Sequence, residues 1–90
     1  MHTTLFKIGE RAYYGKWRIS VTEEQIKCEG LDWDTNKVQE SRTFDITDNV
    51  RNELEFYLSE VSTSYHADQM IEWVEKYIGL PEHSYTAFTL

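Results

Sequence analysis

The sequence lacks the features that mark several common classes of protein. It has one cysteine, Cys28, which excludes an internal disulfide framework. No apolar run approaches the length of a membrane span, and residues 1–10 (MHTTLFKIGE) lack the apolar block of a secretory signal. We therefore expect a cytoplasmic protein that makes no membrane contact and is encoded by a cell or by something that infects one.

Motifs of catalysis, cofactor binding and metal binding are also missing. The four glycines form neither a phosphate loop nor a dinucleotide fingerprint, and no serine stands in a nucleophile elbow. His2, His66 and His83 lack the short spacings of zinc ligands. Cys28 alternates with Ile26 on the apolar side of a predicted strand, which favours a core residue over a nucleophile. The sequence thus predicts a protein that is not an enzyme and uses neither a cofactor nor a metal.

Aromatic side chains, by contrast, are abundant. Three Trp, six Tyr and four Phe occur among 90 residues. This composition is too apolar and too aromatic for a disordered chain. The length suits one domain, residues 1–90, with a single modest core.

The clearest pattern covers residues 64–80 (SYHADQMIEWVEKYIGL). Its apolar residues fall at helical spacing and form one stripe: Ala67, Met70, Ile71, Val74, Tyr77 and Ile78. Ser64 is the predicted N-cap, and Gly79 suits the left-handed position after the last turn. A helix of this length cannot bury such a stripe alone, so we expect the rest of the chain to cover it.

A second helix is predicted over residues 47–61, with Thr47 or Asp48 as its cap. Its apolar stripe is Val50, Leu54, Tyr57, Leu58 and Val61. Before it, alternation of apolar and polar residues predicts four strands, over residues 4–8, 16–21, 26–33 and 38–46. Residues 84–90 alternate weakly and are expected to form a short strand or to lie loose.

Two of these strands have irregular patterns. In the third, Gly30 breaks the alternation, and a bulge there would return Leu31 to the face of Cys28. In the fourth, Glu40 and Arg42 fall on the side of the apolar residues, which is typical of an edge strand. Short connections favour a meander, so the expected fold is α+β: an antiparallel four-stranded meander followed by two helices packed on one face as a two-layer sandwich.

The net charge of −7 is distributed unevenly along the chain. Residues 1–47 hold seven bases and eight acids, a balance of −1, whereas residues 48–90 hold two bases and eight acids, a balance of −6. We therefore expect the helices to repel nucleic acid and to attract a basic protein surface. The alternative interpretation is that the acidic residues only keep a small protein soluble.

Two aromatic residues of the predicted helices lie off the apolar stripes. Phe56 has carboxylates three and four residues away, as the anchor of a protein interface often does. Trp73 lies at one margin of the second helix, which also has acidic residues on its outer side. The predicted partner-binding residues are Glu53, Phe56, Glu60, Asp68, Glu72 and Trp73. The alternative is that both aromatics cover gaps at the sheet edge.

Other functions have weaker support in the sequence. Residues 11–18 (RAYYGKWR) combine bases with aromatics, and a nucleic-acid-binding module would use Arg11, Lys16, Arg18, Tyr13 and Tyr14. A structural or oligomeric domain with no separate activity is a further alternative, since an exposed sheet edge is able to pair two copies as a homodimer.

Residues 42–48 (RTFDITD) lead a last strand directly into a helix cap. Together with the order of strands before helices, this stretch resembles some small phage anti-CRISPR proteins that act on type I surveillance complexes. The resemblance covers about a third of the chain. It implies a non-enzymatic inhibitor that binds a nucleic-acid-handling complex, and it assigns a role to no particular residue.

Overall fold

The computed structural model describes residues 1–8 and 15–78, in which four strands precede two helices. The strands are β1 (His2–Lys7), β2 (Lys16–Val21), β3 (Gln25–Leu31) and β4 (Val38–Asp45), and the helices are α1 (Val50–Val61) and α2 (Ser64–Tyr77). Neighbouring strands pair antiparallel in the order β1-β2-β3-β4, so β1 and β4 are the edges. The predicted α+β fold, a meander followed by two helices, is confirmed.

One core lies between the sheet and the helices. Alternate residues of the strands and the stripes of both helices form it: Trp17, Ile19, Val21, Ile26, Cys28, Phe44, Val50, Leu54, Tyr57, Leu58, Ala67, Met70, Ile71 and Val74. Removing a large apolar side chain from water in this way stabilises the fold by roughly 1.5–3 kcal/mol per residue. Both helical stripes point at the same side of the sheet. No described helix covers the other side, which is called the open face below.

The irregularity predicted at Gly30 exists, but its extra residue lies in the neighbouring strand. The register between β2 and β3 is regular up to Lys16 opposite Leu31. The register between β3 and β4 shifts between Gly30 and Leu31, and it passes over Gln39 of β4. β3 therefore keeps its alternation, and Leu31 is buried outside the core cluster that contains Cys28. The prediction that a bulge returns Leu31 to the face of Cys28 is wrong.

The helix ends lie within two residues of the predicted ones. Asn49, rather than Thr47 or Asp48, is the N-cap of α1, and its side chain makes no capping hydrogen bond. The N-cap of α2 is Thr63 rather than Ser64, because the Thr63 hydroxyl accepts a hydrogen bond from the His66 backbone N–H at 3.3 Å. The sequence places the end of the second helix just before Gly79; α2 ends at Tyr77, with Ile78 as its C-cap.

Several predictions fall on residues 9–14 and 79–90, which lie outside the described part of the chain. They are the roles of Arg11, Tyr13, Tyr14 and Gly79 and the short strand at residues 84–90. Within the described residues, neither helix has the length and the apolar character needed to cross a lipid bilayer.

A candidate partner-binding surface on helix α1

The outward side of α1 presents an exposed aromatic ring among acidic and polar side chains. Phe56 is 67 % exposed, whereas its neighbour Tyr57 is 5 % exposed and belongs to the core. The contrast follows from the helical period, since consecutive residues point about 100° apart around the axis. With the stripe of α1 fixed against the sheet, Phe56 has no place in the core.

Phe56 borders a shallow depression of about 410 Å³ on this helix. The depression is lined by Asn52, Glu55, Phe56, Ser59 and Glu60. Of these, only Phe56 and Glu60 were predicted as site residues. Asn52 and Ser59 lie four residues before and three residues after Phe56, so the helical period was sufficient to identify them. Below, the term α1 surface means these five residues together with Glu53.

The carboxylates around Phe56 differ in their ionic partners. Glu55 accepts from Arg51 Nη1 at 3.0 Å, and the same guanidinium donates through Nε to Glu75 of α2 at 3.2 Å. Both bonds raise the pKa of Arg51, and the bond to Glu75 contributes more than the bond to Glu55. The bond to Glu75 also joins the two helices. Among the described residues, Glu53 and Glu60 form no ion pair, and both are exposed. Their negative charge is therefore available to a partner.

Trp73 does not join the α1 surface. Its ring is half-buried and lies edge-on to Phe6 of β1, with 6.4 Å between centroids, and 4.8 Å from the ring of Tyr77. Tyr77 in turn stacks on His2 at 4.3 Å. These contacts place Trp73 over β1, whereas α1 contacts β4 at the opposite edge. The alternative interpretation was that both aromatics cover gaps at the sheet edge. The packing of Trp73 on Phe6 fits that interpretation, whereas Phe56 is 67 % exposed and does not.

Asp68 and Glu72 lie on α2, and both are exposed. Neither forms an ion pair within the described residues. Together with Glu53 and Glu60, they make the outer side of the helical layer strongly negative. Asp68 and Glu72 do not line the depression of the α1 surface. Their charge acts on an approaching partner only from a distance.

The described part of the basic and aromatic stretch lies on β2. Lys16 donates to Asn36 Oδ1 at 2.7 Å and lies 5.4 Å from the centre of the Trp33 ring. Arg18 donates to Glu29 Oε1 at 2.8 Å. Both cations therefore have partners within the chain. A phosphate group would have to compete with Asn36 for Lys16 and with Glu29 for Arg18.

Glu29 is the most enclosed carboxylate of the open face, at 8 % exposure. Arg18 and, at 3.7 Å, Lys27 surround it. The hydrogen bond from Arg18 is the main reason that the pKa of Glu29 lies below its usual value. A depression of about 510 Å³ beside it is lined mainly by hydroxyl and charged groups of β1, β2 and β3.

The residues considered for catalysis or metal binding lie outside the α1 surface. Cys28 is fully buried, and burial raises the pKa of its thiol to about 12, so the thiolate is scarcely populated near neutral pH. The His66 Nδ1 atom lies 2.7 Å from the Thr63 hydroxyl at the start of α2. In the described ranges, no three His, Cys, Asp or Glu side chains come together in an arrangement able to hold a metal ion.

Comparison of the chain with protein-family models, with curated proteins and with solved structures found no match in any of the three. The surface chemistry of α1 and of the sheet is therefore the basis for a functional proposal.

Proposed function

We propose that this protein is a non-enzymatic binding protein whose α1 surface docks on a basic surface of another protein. The observation that supports the proposal is Phe56, which is 67 % exposed and lies between Glu53 and Glu60, two carboxylates without an ionic partner among the described residues. A buried aromatic anchor often supplies much of the energy of an interface, while surrounding charges steer the approach. Asp68 and Glu72 add long-range attraction, and Trp73 stabilises the position of α2.

An inhibitor of the phage anti-defence type is the form of this function that the resemblance at residues 42–48 implies. Complexes that handle nucleic acid present basic protein surfaces, which complement an acidic helical layer. Such a protein would act by occupying the basic surface, with no covalent chemistry.

The direct test uses a purified type I surveillance complex and three forms of the protein. We expect wild type to bind with an affinity that falls steeply as salt is added. The Phe56→Ala/Glu53→Lys variant should bind at least about ten-fold more weakly, since an anchor and a steering charge are both lost. Tyr65→Ala is the matched control, because Tyr65 is also 67 % exposed but lies on the first turn of α2.

The same variants can be compared in bacteria with an active type I system that are infected by a targeted phage. Wild type and Tyr65→Ala should restore plaque formation, and the double variant should not. If the folded double variant binds and protects as well as wild type does, the α1 surface is not the docking site. If wild type binds no surveillance complex, the anti-CRISPR form of the proposal fails, and the partner must be another basic protein.

Nucleic-acid binding is the second candidate, and one observation favours it. Lys7 and Lys16 lie directly opposite each other on β1 and β2, a like-charge pair that a phosphate would stabilise once Lys16 leaves its hydrogen bond to Asn36. A gel-shift titration with single-stranded and duplex oligonucleotides at low salt tests this candidate. A shift that disappears in Lys7→Glu/Lys16→Glu supports it, and no shift at micromolar protein removes it.

A further inference from the structure

The edge strand β4 has an arrangement of side chains that complements itself. Ser41 has Glu40 on one side and Arg42 on the other, and these three residues lie in the regular part of β4, after the register shift at Gln39. Two antiparallel copies of this strand, centred on Ser41, would place Glu40 of each copy opposite Arg42 of the other. Opposite charges at directly paired positions stabilise a sheet.

β4 is also the more accessible edge of the sheet. Within the described residues it pairs with β3 alone, and no strand lies along its outer side. Most of its residues are exposed. The end of α2, by contrast, lies at β1, where Tyr77 stacks on His2. An edge strand with free backbone N–H and C=O groups is a template for pairing with another strand.

The two charged side chains are already ordered in the single chain. The Tyr57 hydroxyl donates to Glu40 Oε2 at 2.9 Å, which leaves the other carboxylate oxygen free. The Arg42 guanidinium lies 4.8 Å from the centre of the Phe44 ring and 5.3 Å from that of Tyr57. Neither charge has an ionic partner among the described residues. Ordering before association lowers the entropy cost of pairing.

We propose that β4 pairs antiparallel with β4 of a second copy of this chain, across a two-fold axis at Ser41. The charges select this register over its neighbours. A two-fold axis at Glu40 would place the two Glu40 carboxylates opposite each other, and one at Arg42 would oppose the two guanidinium groups. The result is a homodimer with one continuous eight-stranded sheet and all four helices on the same side. The pairing does not depend on any partner of the α1 surface.

Charge reversal gives a test that only this register satisfies. Glu40→Arg creates two Arg–Arg pairs in a homodimer and Arg42→Glu creates two Glu–Glu pairs, so each variant alone should dimerise at least about ten-fold more weakly. A mixture of the two variants restores both Glu–Arg pairs and should form a heterodimer about as stable as the wild-type dimer. Lys76→Glu, an exposed charge reversal on α2, should leave dimerisation unchanged.

Sedimentation velocity over a concentration series measures these states, with a dimer at twice the 10.7 kDa of one chain. A wild type that stays monomeric up to hundreds of micromolar overturns the proposal. So does a dimer that neither single variant weakens, or a mixture that fails to associate although both variants are folded by circular dichroism.

A cysteine at the two-fold axis gives an independent test if Glu40→Arg unfolds because Tyr57 loses its acceptor. Ser41→Cys should form a disulfide-linked dimer under mild oxidation, whereas Ser59→Cys on α1 should not. The native Cys28 does not compete because it is buried. Equal cross-linking at both positions, or none at Ser41→Cys, contradicts pairing through β4.

Discussion

The two helices cover the same face of the sheet, yet their free sides differ. The side of α2 that faces away from α1 is closed by an aromatic cluster in which Trp73 contacts Phe6 and Tyr77. The corresponding side of α1 leaves Phe56 in solvent. The N-terminus of α2 is also capped by the side chain of Thr63, whereas Asn49 makes no such bond at the N-terminus of α1. The comparison indicates that α2 is optimised for packing, while α1 retains an apolar group that the fold itself does not use.

The largest expected effect is on the packed aromatic of α2. Trp73→Ala should lower the free energy of unfolding by about 2 kcal/mol, less than the ~3–5 kcal/mol of a fully buried aromatic because Trp73 is only half-buried. Urea denaturation measures the change. A loss below about 0.5 kcal/mol, as for an ordinary surface residue, would mean that the cluster over β1 does not stabilise α2.

A smaller effect is expected for the inward neighbour of Phe56. Tyr57→Phe removes the hydrogen bond to Glu40 and should cost about 1 kcal/mol at neutral pH. Burial and, next, the bond to Glu40 raise the pKa of the Tyr57 phenol above its ordinary value of 10.0. Because the unfolded chain then loses this proton before the folded one, the stabilising contribution is complete below about pH 10 and declines above it.

The pH dependence separates this effect from a simple packing change. The difference in unfolding free energy between wild type and Tyr57→Phe should shrink as the pH rises above about 10. Chemical denaturation at neutral pH and at two alkaline values measures it. A difference that stays constant with pH would show that the pKa of the Tyr57 phenol is the same in the folded and the unfolded chain.

The caps of the two helices predict a further contrast. Thr63→Ala removes the acceptor of the His66 N–H and should destabilise the protein by about 1 kcal/mol. Asn49→Ala is the matched change at α1 and should cost only about a few tenths of that, since Asn49 makes no side-chain capping bond. Equal losses in thermal unfolding of the two variants would contradict the assigned caps.

The smallest effect on stability is expected at Phe56. Phe56→Ala should change the free energy of unfolding by less than about 0.5 kcal/mol, because the ring is mostly in solvent. Thermal unfolding beside wild type checks this. If the variant were clearly destabilised, Phe56 would be a packing residue, and its exposure would no longer argue for a partner.

Much of the fold followed from local patterns. The period-two alternation at Trp17, Ile19 and Val21 predicted a half-buried strand, and the stripe from Ala67 to Val74 predicted α2. Element ends were less accurate, since Thr63 rather than Ser64 caps α2. Adjacent Ser and Thr hydroxyls are both able to accept the capping hydrogen bond, so the backbone geometry selects between them.

The candidate site was only partly accessible from sequence. The helical period separated Phe56 from the core and placed Glu53 and Glu60 beside it. The helical period also separated Trp73 from the core. A position off the apolar stripe does not show whether a neighbouring strand covers the side chain, so Trp73 was predicted as a binding residue as well. Glu40 and Arg42 were recognised as charges on the inner side of an edge strand, but their contacts with Tyr57 required the packing of α1 on β4.

The sequence by itself determined which residues face a core and in what order strands and helices follow, because backbone periodicity and the exclusion of apolar groups from water act locally. The tertiary structure alone decided which off-stripe aromatic is covered, which strand holds the extra residue at the bulge, and which charges on β4 lack an ionic partner in the described part of the chain. These features depend on the distances between elements that are far apart in the chain, and no local pattern specifies such distances.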